Sequence, residues 1–288
     1  MLRGGITCFN DMYFFPKAAA EAALAAGMRA AIGLITVDFP SNYAADADDY
    51  LAKGLAVRDQ LLDEPLLSFC LAPHAPYTVG ERSFAQVLTL AEQIELPIHL
   101  HLHETVQEIE DSLRHFGVRP MERIRRLGLL GPGLIAVHAV HLEVHEIELL
   151  ATYGCSVAHC PSSNLKLASG IAPITQLSAN GVNIGLGTDG AASNNRLDLF
   201  QEMRLGALLA KEQAGRADAI NAHQVLRMAT LGGARALGLE SSIGSLSPGK
   251  WADLCAVRFD DMALAPCYDP VSHLSYAVGR EHVSDVWV

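Results

Sequence analysis

Residues 97 to 105 read PIHLHLHET, with His99, His101 and His103 at every second position and Glu104 directly after the last. Imidazoles in such a pattern are natural ligands for a divalent metal, and a carboxylate beside them is placed to move a proton. If the run is a strand, its period of two puts all three histidines on one side, pointing inward at successive depths. Only His101 or His103, near the C-terminal rim, then meets a ligand, and His99 reads as a hydrogen-bonded core residue. Glu104 leaves the strand at the rim, either as an acid-base group or as a cap on the following helix.

Three further stretches belong with this one. LGTDGAASNN (186–195) ends an apolar run with Asp189 among small residues, a position for a helix cap or a ligand. VHAVH (137–141) offers His138 at a strand end, with His141 in the loop beyond. Taken with His101 and His138, Asp189 reads as a ligand, because two imidazoles and a carboxylate suit zinc. Ser193 either contacts a substrate or turns the chain. In PHAPYT (73–78), His74 stands between prolines that fix the loop backbone, so it is held ready to hydrogen-bond a substrate. Cys155, His159 and Cys160 lack a second ligand pair at zinc-finger spacing.

These residues need elements to carry them. Short β-rich runs recur at 4–10, 29–36, 66–74, 97–103, 134–141, 155–161 and 183–190, with helical patterns between them. KAAAEAALAAG ends on Gly27, SFAQVLTLAEQI is amphipathic, and longer helical stretches follow at 197–213 and 222–237. Seven alternating, apolar strands predict a parallel sheet covered by helices. No GxGxxG or GxxxxGK[ST] supports a doubly wound nucleotide fold. The expectation is α/β: a (β/α)8 TIM-type barrel one strand short, over residues 1–240. Residues 241–288, with SIGSLSPGKWADLCAVRFD, form an extended layer outside it. In a barrel the active residues gather at the strands' C-terminal ends. Asp11, His74, His101 to Glu104, His138, His141, Asn164 and Asp189 all fall there on this reading.

Composition narrows the partner. The 288 residues are 50% hydrophobic and carry 21 basic against 32 acidic side chains, a formal charge of -11. That sign opposes binding to nucleic acid or an anionic membrane, leaving a small molecule. The six cysteines form no CxxC pair, which implies reduced thiols and a cytoplasmic location. Neither a signal peptide nor a membrane span is expected. The two open edges of an incomplete barrel favour self-association.

HLHET, VHAVHL, AHCPSSNLKLASGIAP, LGTDGAASNN and GSLSPGKWADL, in this order, resemble the amidohydrolase superfamily. The likeness is to the branch of methylthioadenosine/S-adenosylhomocysteine deaminases and triazine hydrolases. It implies a (β/α)8 barrel with a small β-sandwich built from both chain ends, and one divalent metal, usually zinc. Its HxxE motif maps onto His101 as metal ligand and Glu104 as proton shuttle. The sixth-strand histidine maps onto His138, and the eighth-strand aspartate onto Asp189 as ligand and base. His74 and Ser193 map onto substrate-side positions. The family also takes two ligands from an HxH upstream of the segment resembling GGITCFND, and the sequence begins at Met1 just before that segment. The expectation is therefore a shortened chain whose sandwich is a remnant, with a catalytically inactive chain as one alternative and a triazine or aminopurine hydrolase as another. The segment 34–60 carries only Arg58 as a match for a substrate carboxylate, which favours a neutral thioether such as methylthioadenosine.

Overall fold

The computed structural model describes residues 1–288. Seven strands, β1 (Cys8–Tyr13), β2 (Arg29–Thr36), β3 (Leu67–Pro73), β4 (Ile98–Leu102), β5 (Leu134–His138), β6 (Ser156–His159) and β7 (Asn183–Leu186), form one sheet in sequence order. Every neighbouring pair is parallel. The connecting helices are α1 (Pro16–Ala26), α2 (Ala47–Leu61), α3 (Glu81–Ile94), α4 (Val106–Phe116), α5 (Pro120–Arg126), α6 (Val144–Thr152), α7 (Pro161–Lys166) and α8 (Ile174–Ala179). This is a curled, open seven-stranded α/β barrel, as the alternation predicts. All eight residues of β2 are buried, which is why a parallel strand reads as a continuous apolar run. One core, including Ile32, Leu71, Leu100 and Val157, fills the space between sheet and helices.

The first strand departs from expectation. Of residues 4–10 only Cys8–Asn10 belong to it: Leu2–Gly4 is a 3-10 turn, Gly5 has φ 83°, and β1 runs from Cys8 to Tyr13. Asp11 therefore lies within β1, in register with Ile32, and not at a strand end. Parallel pairing along β2 has overridden the weak β propensity of CFNDMY.

After β7 come α9 (Leu199–Ala214) and α10 (Ala222–Arg227). The stretch expected as helical over 222–237 runs without a break, its middle wound as a π segment at Met228–Gly232 before α11 (Gly233–Ala236). There the helix presses on β7: a Cβ on Gly232 would lie 2.1 Å from the Ile184 carbonyl oxygen.

Beyond the barrel, β8 (Leu254–Val257) and, after α12 (Pro270–Tyr276), β9 (Val283–Trp287) pair antiparallel in a separate two-stranded sheet. This tail is fastened to the barrel at the start of β2. Arg29 donates through Nε and Nη2 to the two carboxylate oxygens of Asp253, at 3.0 and 2.9 Å, and its guanidinium lies 3.9 Å from the Trp251 ring centroid. No helix is long and apolar enough to cross a membrane.

Candidate active site

The C-terminal strand ends bring His74, His101, Glu104, His138 and Asp189 together. The His74 and His101 ring centroids are 5.0 Å apart, and those of His101 and His138 are 5.3 Å apart with planes only 20° from parallel. A Glu104 carboxylate oxygen lies 3.8 Å from His138 Nε2. Several of the residues that turn the chain here have left-handed backbone: His103 (φ 57°), His138 (φ 72°), Ala139 (φ 48°) and Asp189 (φ 59°). Such conformations are uncommon for residues with a Cβ and concentrate at functional sites.

The backbone fixes each ring. His101 Nδ1 donates to the His74 carbonyl at 2.8 Å, and His138 Nδ1 donates to Asn164 Oδ1 at 2.8 Å. Both are thereby set in the tautomer that leaves Nε2 with a free lone pair, the arrangement that orients histidine ligands. Thr78 gives its own proton to the Ala75 carbonyl, so its Oγ1 accepts from His74 Nδ1 at 2.9 Å and His74 Nε2 is left as an acceptor. Burial, reinforced by the neighbouring His101, pushes the His74 pKa down to about 4. Burial likewise lowers the pKa values of His101 and His138. All three rings are held neutral.

The two carboxylates are driven apart. Burial raises the pKa of Glu104. Burial also acts upward on Asp189, but hydrogen bonds from Ser163 Oγ (2.6 Å), Ser193 Oγ (2.7 Å) and the Gly190 N–H (2.6 Å) outweigh it and hold the carboxyl below its usual value. A charged aspartate facing a carboxyl disposed to hold a proton is an acid-base division of labour.

PIHLHLHET resolves into three different histidines. β4 ends at Leu102, so strand parity does not extend to His103, whose positive φ turns it away from the barrel interior. It packs instead against the outer helices: Nδ1 donates to the His141 carbonyl at 3.0 Å and Nε2 accepts from the Met121 N–H at 2.9 Å. Both nitrogens are spent. His99 is buried as expected, yet its Nδ1 has no hydrogen-bond partner, which corrects the reading of a satisfied core histidine. Glu104 does not cap the next helix; Thr105 does, accepting from the Glu108 N–H at 3.1 Å. His141 lies in the loop, its Nε2 2.7 Å from the Ser169 carbonyl, and Ser169 Oγ is 3.5 Å from Glu104. Ser193 is nearly buried and spends its hydroxyl on Asp189.

Sequence reasoning passed over the supporting residues. Glu108 accepts from the backbone N–H groups of His103 and Glu104, at 2.9 and 2.8 Å. Arg119 makes a two-point pair with Glu146, whose carboxylate lies 3.5 Å from His103 Nε2. Ser163 holds Asp189, while Asn164, already placed among the strand-end polar residues by the sequence, holds His138. Of the residues passed over, only Glu108 had a legible signal, since Thr105 and Glu108 stand at capping-box spacing.

The donor chemistry fits a divalent ion in kind: His101 and His138 present free Nε2 lone pairs, and Asp189 is an ionised carboxylate supported from behind. No three His, Cys, Asp or Glu side chains share one ligating arrangement, so these residues supply part of a coordination sphere.

The amidohydrolase family model matches residues 1–288. The chain belongs to the amidohydrolase family. This amidohydrolase is 48% identical over 288 residues to the 5-methylthioadenosine/S-adenosylhomocysteine deaminase of Teredinibacter turnerae, covering all of the chain and 65% of that protein. It is 39% identical over 286 residues to the 5'-deoxyadenosine deaminase of Methanothermobacter thermautotrophicus, covering 99% of the chain and 66% of the relative. Among solved structures, an adenosine deaminase from Xanthomonas campestris with bound zinc superposes with a TM-score of 0.98 at 49% identity, over 100% of this chain and 65% of that one. A triazine hydrolase variant gives 0.91 at 26% identity, over 100% and 67%. The amidohydrolase thus spans about two thirds of the length of these relatives.

Proposed function

We propose that the chain carries the acid-base half of a metal-dependent deaminase that hydrolyses the C6 amine of an adenosine thioether, 5'-methylthioadenosine in the first instance. The observation that carries this reading is the Glu104 carboxylate beside His138 Nε2, with its pKa raised while that of Asp189 is lowered. The names of the deaminase relatives support the same class.

His101 and Asp189 would hold the metal, with His138 beside them, and when bound the ion supplies a water whose pKa is lowered toward ~7. Glu104 takes a proton from the attacking water and delivers it to purine N1, which makes C6 electrophilic. His138, through its Nε2 lone pair, and Asp189 orient the oxygen as it adds to C6. Asp189 then takes the remaining proton of the added oxygen and passes it to the amine, the C6–N bond breaks as the C6 carbonyl forms, and ammonia leaves an inosine-type product. His74 offers Nε2 as an acceptor to the substrate, and Ser193 acts from behind Asp189.

The neutral thioether is favoured on the cation side of the argument. Arg58 lies in α2 and pairs with Asp59 at 3.0 Å, so it is not free to receive a substrate carboxylate. A second reading keeps the site and changes the leaving group; it is favoured by the 0.91 TM-score to a triazine hydrolase. Ammonia release from methylthioadenosine, adenosine and an aminotriazine by the zinc-loaded chain separates the two. Glu104→Gln should lower turnover by several orders of magnitude at unchanged zinc content, and a near-normal rate would sink the assignment.

A further inference from the structure

A line of rings leads from the surface into the site. Tyr77 is 55% exposed, its ring centroid 5.9 Å from that of His74 and its plane at 89° to it. From His74 the line continues at 5.0 Å to His101 and at 5.3 Å to His138. Burial, together with the charges of Glu104 and Glu108, pushes the Tyr77 pKa up to about 12, so the hydroxyl stays protonated within the field of the proton shuttle.

An exposed aromatic side chain is ordinary on a mobile loop, but this loop is clamped. Arg123 of α5 is 4% exposed and has no carboxylate partner. It donates to the Pro76 carbonyl through Nη1 and to the Val79 carbonyl through Nη2 at 3.2 Å, bracketing Tyr77 from beneath. Its guanidinium lies 4.0 Å from the Phe116 ring centroid and 5.7 Å from that of Phe84. Thr78 adds its bonds to His74 and Ala75. Burying an arginine with no carboxylate in contact, the charges of Glu81 and Asp38 acting only through space, is unfavourable, so the clamp calls for a reason beyond packing. A half-exposed ring on a loop held in advance is what ligand recognition needs, because little freedom is left to lose on binding.

We infer that Tyr77 is the aromatic wall of the substrate pocket, stacking on the heteroaromatic ring that is delivered to Glu104, with Arg123 as the residue that positions it. This rests on the nucleoside reading above and adds a recognition element to it. Stacking acts on the ring and not on the 5' substituent, so Tyr77 supplies affinity for the base without choosing among thioethers.

The test is calorimetric titration of the zinc-loaded chain and its Tyr77→Ala and Tyr77→Phe variants. The probes are purine riboside and its 5'-methylthio counterpart, which have no C6 amine to lose. Tyr77→Ala should weaken both by roughly ten-fold or more, the scale of base–aromatic stacking, and Tyr77→Phe by less than about three-fold. Unchanged affinity in Tyr77→Ala, a loss confined to the methylthio probe, or a Tyr77→Phe variant as weak as the alanine one overturns the assignment and leaves the nucleoside reading standing. If the parent chain binds neither probe, the nucleoside reading itself is overturned and Tyr77 falls with it.

Discussion

Glu108 sits behind Glu104, and its titration can be isolated. The side chain is 4% exposed, and its two oxygens accept from the N–H groups of His103 and Glu104. Burial outweighs those bonds and raises its pKa from 4.5 to about 7. The folded protein therefore keeps a proton that the unfolded chain releases over this range. The stability linked to that proton is fully present below about pH 4.5 and is lost as pH rises through about 7. At about 1.36 kcal/mol per pKa unit, the shift corresponds to roughly 3 kcal/mol. Glu108→Gln does not titrate; its amide oxygen accepts one of the two N–H groups while its NH2 opposes the other, an initial loss of about 1–3 kcal/mol. Urea unfolding of both proteins at about pH 4.5 and about pH 8 measures the effect, because the buried histidines shift both proteins alike and cancel in the difference. The stability difference should move by roughly 3 kcal/mol in the variant's favour between the two pH values. A difference that is flat with pH would refute the reasoning.

Further outcomes follow from packing and ligation. Gly232→Ala should destabilise by roughly 3 kcal/mol or more, because its Cβ meets the Ile184 carbonyl at 2.1 Å, whereas Gly233→Ala, with nothing within 4 Å, should be neutral or gain up to about 1 kcal/mol; thermal melts compare them. Asp253→Ala strands Arg29, whose side chain is 7% exposed, and should lose about 3–5 kcal/mol in urea unfolding without changing affinity for purine riboside. Elemental analysis after dialysis against excess zinc should find about one equivalent retained by the parent chain. Less than a tenth as much should remain in His101→Ala, and equal retention by that variant would remove His101 from the site.

How much was legible follows the range of the forces involved. β2 to β7 show in the sequence because strands buried on both faces must be apolar along their length. β1 was displaced because GGIT resembles the start of a strand, while CFNDMY, interrupted by Asn10 and Asp11, owes its conformation to pairing with β2. His101, Glu104, His138 and Asp189 were legible because strand ends concentrate polar residues at sharp boundaries. His103 was not, since a single left-handed residue cancels the parity rule. Nor were Arg119, Glu146 and Ser163: their hydrogen bonds reach partners 16 to 27 residues away, and no local pattern marks such pairings.

The fastening of the tail at Arg29 has an optical consequence. The chain holds two tryptophans, Trp251 and Trp287, and both lie in the tail, with Trp251 under the guanidinium at the entry to β2. The candidate site lies at the opposite ends of the strands. Intrinsic tryptophan emission therefore watches the seam where the tail meets the barrel floor and is blind to events at the histidines, so a shift in that emission marks the tail coming loose.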